Sequence, residues 1–111
     1  MSKVLLEKLL RSREFGVTAG GHTFVVRRPT DADALVMQGK PAIDFVKQFV
    51  VGWDLVELDV IPGGGPEKVS FDAELWSAWI VDHPDLWEPV AMAILDAYSA
   101  HVKSRETDAK N

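Results

Sequence analysis

The side chains that do acid–base, nucleophilic or metal chemistry are scattered along this chain. Its three histidines, His22, His83 and His101, stand in three separate segments, and no two share a spacing that would bring two ligands to one metal. His83 lies between Asp82 and Pro84, where one helix gives way to another, and reads as a capping residue. Asp54, Glu57 and Asp59 cluster, yet a calcium loop needs a longer ladder of oxygen ligands closed by an acid at fixed spacing. Asp82, Asp85 and Glu88 fall where a helix opens, a place in which carboxylates are stabilised by the helix dipole. Ser77, Ser99 and Thr23 have no base beside them in sequence to activate a hydroxyl. A phosphate loop at Gly63-Gly64-Gly65 would lead into Lys-Ser or Lys-Thr at a helix start. Pro66 and Glu67 follow instead, so the triplet reads as a turn. No catalytic, metal or cofactor site is expected, and the chain is read as a binding protein rather than an enzyme.

The composition agrees with that class. With 47% hydrophobic residues, a 111-residue chain has enough apolar side chains for one core, and 26% charged residues make an ordinary globular surface. Seventeen acids against 12 bases leave a net charge of −5, the wrong sign for a general nucleic-acid binder, which displaces counterions with a basic footprint. Arg27-Arg28 is a basic pair too small to make such a footprint. There is no cysteine, hence no disulfide and no thiolate ligand. The opening MSKVLLEKLLRSREF is broken by Glu7, Lys8 and Arg11, unlike a signal peptide. No run approaches the roughly 18 apolar residues of a membrane span. A soluble, cytoplasmic protein is expected.

The elements that must position these residues are organised around 71–102, which holds three of the four tryptophans and the only tyrosine. Leu75, Trp76, Trp79 and Ile80 make one helical stripe. Trp87, Val90, Ala91, Ile94, Leu95, Tyr98 and Val102 make a second, beyond the corner at His83-Pro84. Each tryptophan removes about 150–250 Å² from water on burial, roughly 4–6 kcal/mol gross at about 25 cal/mol/Å². This pair of helices is the expected seat of the core.

Upstream, residues 2–12 read as a short helix with Leu5, Leu6, Leu9 and Leu10 along one side. That stripe either packs on the domain or docks a partner or a second copy. Phe15 and Val17 alternate with polar residues, then Gly20-Gly21 precedes Thr23-Phe24-Val25-Val26, a β-hairpin signal because both glycines accept the positive φ of a primed turn. Two strands alone are marginal in water, so the hairpin needs a cover on one face or a further strand at its edge. Thr30 caps a helix through Met37 that stops at Gly39, and Pro41 opens another running to Gly52-Trp53. Residues 54–70 read as a long Gly/Pro-rich connection with Leu55, Leu58, Val60 and Ile61 tucked inward. The reading is thus one mainly helical α+β domain over 1–103: an N-terminal helix, one β-hairpin and four or so packed helices. A flexible polar tail is expected over 104–111.

As a whole, RRPTDADAL (27–35), FVVGWDLVELDVIPGGGPEKVSFDAELWSAWI (49–80) and DHPDLWEPVAMAILDAYSAH (82–101) resemble tail assembly chaperones of long-tailed, siphovirus-type bacteriophages. The similarity runs from about Phe15 to His101. Its most specific parts are Gly-Trp-Asp with the acidic, glycine-rich connection after it, and the Leu-Trp-Glu-Pro that opens the last helix. The resemblance implies a small helical protein of the host cytoplasm, absent from the mature virion. Such a protein binds the aggregation-prone tape measure protein and delivers it to polymerising tail tube subunits. It also implies that a programmed frameshift can add an extension contacting the tail tube protein, of which a chain ending at Asn111 would be the shorter product. No catalytic residues carry over.

A holdase needs exposed apolar or edge surface, and the expected partner-binding and self-association residues are Leu5, Leu9, Phe24, Val26, Trp53, Leu55, Leu58 and Ile61. Two other classes fit the same sequence: a structural minor tail or connector subunit retained in the virion, and a small host-directed interaction protein.

Overall fold

The computed structural model describes residues 2–110. Its first helix, α1 (Lys3–Arg11), begins at Ser2, whose hydroxyl accepts from the Leu5 N–H at 3.0 Å. The chain then forms the hairpin of β1 (Glu14–Ala19) and β2 (His22–Arg27), in register from Glu14↔Arg27 to Ala19↔His22. Gly20 and Gly21 turn it with φ of 59° and 80°, values that side chains with a Cβ resist. Strand alternation sends Phe15 and Val17 on β1 and Phe24 and Val26 on β2 to the same face, where Phe24 and Val26 are fully buried.

Helix α2 (Asp31–Met37) opens on a complete capping box: the Asp33 N–H donates to Thr30 Oγ1 and the Thr30 N–H to Asp33 Oδ2. Helix α3 (Ala42–Phe49) follows and buries Val46 and Phe49. The expected helix through Gly52-Trp53 ends earlier, because Val50–Trp53 is a strand, β3, antiparallel to β2. β-Branched Val50 and Val51 favour the pleated conformation, and pairing them with β2 supplies the third strand that a bare hairpin lacks. The sheet order is β1-β2-β3, so Phe24 and Val26 lie on its central strand and not at an edge.

The Gly/Pro-rich connection also holds a single helical turn, α4 (Glu57–Val60), where the Asp59 carboxylate accepts from the Val56 N–H at 2.9 Å. Gly64 packs so closely that a Cβ would lie 2.6 Å from the Glu57 carbonyl oxygen, which explains a glycine there without any phosphate. Helix α5 (Ala73–Ile80) is capped by Asp72, and α6 (Pro84–Lys110) starts on Pro84 after the expected corner. Helix α6 packs along α3 and β1. Residues 104–110, expected as a polar tail, continue α6 as helix. The architecture is a mainly helical α+β fold, with the helix and hairpin order read from the sequence. No helix among the described residues is long and apolar enough to cross a membrane.

Trp76 joins these layers. Its ring packs on Phe24 of β2 at 5.3 Å between centroids, on Trp53 of β3 at 6.1 Å and on Trp79 at 5.8 Å. Its Nε1–H donates at 3.0 Å to the carbonyl of Val46, one of the last four in α3 and so without an intrahelical partner. Trp76→Phe keeps a ring but strands that buried carbonyl. The unfolding free energy in urea is expected to fall by about 2–4 kcal/mol. Trp87→Phe is expected to cost only about 1 kcal/mol, because the Ile80 carbonyl it bonds also receives the His83 N–H at 3.0 Å.

Candidate partner-binding surfaces

The eight residues expected to meet partners divide by burial. Phe24, Val26 and Leu55 are fully buried, so they belong to the core and not to a docking surface. Trp53 is half-buried: its ring meets Phe71 edge-on at 4.9 Å and its Nε1–H donates to the Val69 carbonyl. Both contacts are internal. Leu5 is 68% exposed and Leu9 51%, while Leu58 and Ile61 at the α4 turn are also more than half exposed. These four remain as free apolar side chains. Periodicity identified which residues share a face, but burial depends on whether a neighbour covers that face.

Helix α1 is the extreme case. Its leucines keep one side with helical spacing, and Lys8 and Arg11 sit in the last turn, where cations suit the helix dipole. Yet none of its residues is buried, and Val4, Leu6 and Leu10 are exposed beside Leu5 and Leu9. A contiguous apolar stripe of this kind on a folded chain marks an interaction surface. A second apolar feature escaped the sequence reading. Met37 and Ala34 of α2, Phe45 of α3, Leu95 and Tyr98 of α6, and Pro29 line a groove of about 370 Å³. Its lining comes from three helices and the segments beside them, which no single stretch of sequence encodes.

The residues with chemical potential are each engaged locally. His83 stacks on Trp79 with ring centroids 3.7 Å apart, and its Nδ1 lies 2.8 Å from the Trp79 carbonyl, a contact the Nδ1–H tautomer makes as donor. His22 Nδ1 is 3.6 Å from Asp54 Oδ1. Glu57 Oε1 accepts from the Gly65 N–H, which, with the bond at Asp59, spends these two acids on holding their own loop. Among the described residues, no three His, Asp or Glu side chains converge as a metal site. Family models, curated proteins and solved structures were all compared with the chain, and none matches it.

One polar cluster is long-range. Asp31, at the start of α2, accepts two bonds from the Arg105 guanidinium at 2.7 and 3.0 Å and one from the Tyr98 hydroxyl at 2.8 Å. This fork joins α6 to α2 at Arg105, within the segment beyond residue 103 that continues as helix. The hydrogen bonds from Arg105 and Tyr98 hold the Asp31 carboxyl down at about 2, below its ordinary 3.8. A depressed carboxylate contributes stability above its unfolded pKa and loses it as pH falls through the folded value. Amide protection of 98–110 is therefore expected to drop between about pH 4 and about pH 2. In Asp31→Asn it should be low and flat over that window, with the midpoint of global unfolding little changed, because the pair is solvent-screened.

Proposed function

We propose that this chain is a tail assembly chaperone of long-tailed bacteriophages. In this reading it binds the tape measure protein, keeps it soluble in the host cytoplasm and promotes tail tube polymerisation around it. It then stays out of the mature virion. A frameshifted longer form would bring in the tail tube protein. The proposal rests on the resemblance of 27–35, 49–80 and 82–101 to that family. The observation that carries it is the uncovered leucine stripe of α1.

A protein that shields a long, aggregation-prone client must offer apolar area without losing its own fold. Here the two demands are separated in the chain. The core is closed by α3, α5, α6 and the sheet, so the α1 leucines contribute nothing to it and are free for a client or a sister copy. Leu58 and Ile61 add apolar area on the α4 turn. Burying a leucine gains about 1.5–3 kcal/mol, so a few such contacts repeated over many copies suffice for reversible holding.

Co-expression with the tape measure protein encoded beside it is expected to raise the soluble fraction of that protein and to give co-elution in many copies. No rise and no co-elution would overturn the reading, as would recovery of this chain in purified virions by mass spectrometry. Leu5→Asp and Leu9→Asp should each weaken client capture or self-association by about tenfold or more, with thermal unfolding nearly unchanged. A large fall in the unfolding midpoint would instead make α1 part of the core.

A further inference from the structure

The face of the hairpin that enters the core ends in two arginines. The Arg28 N–H donates to the Arg13 carbonyl at 2.7 Å, which extends the ladder by one step beyond Glu14↔Arg27. By strand alternation Arg13 and Arg28 continue the row Phe15↔Val26, pointing to the side that α6 covers. Like charges directly opposite on one face of a sheet destabilise it. The Asp31 fork anchors a third cation, Arg105, whose charge acts on Arg28. Tyr98, His101 and Arg105 step by three and four residues, so they share one face of α6.

The charges there do not balance. Arg13, Arg28 and Arg105 gather beside Asp31, whose two oxygens are already taken by Arg105 and Tyr98, and the further carboxylate of Glu106 acts on Arg105. Among the described residues the Arg28 guanidinium donates only to the backbone carbonyl of Pro29, at 2.9 Å, and the Nε of Arg13 is buried without a hydrogen-bond partner. Partial burial, then the charges of Arg13 and Arg105, lower the Arg28 pKa, and partial burial, Arg28 and Arg105 lower that of His101. In a chain with five more acids than bases, the half-buried Arg13 and Arg28 form no ion pair among the described residues, while Asp31 is bound to Arg105.

We propose that Arg13, Arg28 and Arg105 form a binding site for an oxyanion group, supplied either as a free anion or by carboxylates of an acidic polypeptide segment. Guanidinium forks match the planar geometry of carboxylate and phosphate oxygens and bind them bidentately. An anion seated there reaches the free donors of Arg13 and Arg28 and relieves the cross-strand repulsion between them. His101 stands beside the site as a further donor. The inference is independent of the chaperone reading, since it rests on side chains that the α1 surface does not include.

The test uses the full chain and follows tryptophan fluorescence on heating. Sodium phosphate and a hexaglutamate peptide are titrated against sodium chloride of matched ionic strength, with glutamic acid as the monomer control. A saturable rise in the unfolding midpoint is expected, on the order of 5 °C at about tenfold excess over Kd. Arg13→Gln and Arg28→Gln should each abolish it, and Lys47→Gln, on exposed α3 surface, should keep it. Saturation by phosphate identifies a free-anion site. Saturation by hexaglutamate where neither phosphate nor glutamic acid acts identifies an acidic segment. The Arg13 Nε–Hε resonance should shift with the same titration, which reads binding without reference to stability. A rise that matches sodium chloride overturns the proposal, and so does one that survives in both arginine variants. The second result would be general exclusion of a kosmotropic salt from the protein surface.

Discussion

The fold depends on tryptophan indoles meeting backbone carbonyls that helices leave unpaired. Each α-helix ends with four carbonyls that lack a partner, and burying such a group unsatisfied costs about 1–3 kcal/mol. Two of the four tryptophans solve that problem, and a third shares its carbonyl with the His83 N–H. Trp76 bonds Val46 near the end of α3, Trp79 bonds Asp59 in the single turn of α4, and Trp87 bonds Ile80 at the last residue of α5. Trp53 does the same for Val69 in the connection. Trp76 and Trp79 are buried in the core and Trp53 and Trp87 pack against it, while the one polar atom of each ring ties down a backbone carbonyl. Three short helices, of eight, four and eight residues, thereby each have one of their last carbonyls satisfied by an indole.

That arrangement places the core and frees the periphery. Because Trp76 binds the sheet, α3 and α5 together, the hairpin face carrying Phe24 and Val26 is closed from within. Arg27 seals the rim: it pairs with Asp33 at 3.0 Å and lies over the Phe49 ring at 4.8 Å. Asp33 is correspondingly held low. Burial works against its charge, and the Thr30 backbone bond and the Arg27 guanidinium outweigh that burial. Helix α1 lies outside all of these contacts, which is why its leucines stay in solvent while leucines of equal hydropathy elsewhere, Leu55 and Leu86, are buried. The surface for partners and the core thus draw on the same residue types and differ only in position.

Local chemistry was legible wherever one residue constrains its near neighbours. The Gly20-Gly21 turn, the Thr30 cap and the His83-Pro84 corner follow from φ preferences and hydrogen bonds over three or four residues. The third strand was not legible, because Val50–Trp53 is apolar on both sides of its alternation and continues a helical pattern without a break. Only the presence of β2 makes it a strand. The inward assignment of Leu58 and Ile61 failed for a related reason: α4 offers just one turn, so its two ends cannot all face the core.

What the sequence alone determined is the list of elements, their order and the apolar face of each, since these arise from periods of two and 3.6 residues. The tertiary structure decided which of those faces acquires a cover. Trp76 reaches a carbonyl 30 residues away and Arg105 a carboxylate 74 residues away, and neither partner carries a mark in its own segment. The same holds for Arg13, Arg28 and Arg105, three cations far apart in sequence that strand pairing and one salt bridge gather into a single cluster. Charge and burial are properties of proximity in space, and a linear pattern specifies only proximity along the chain.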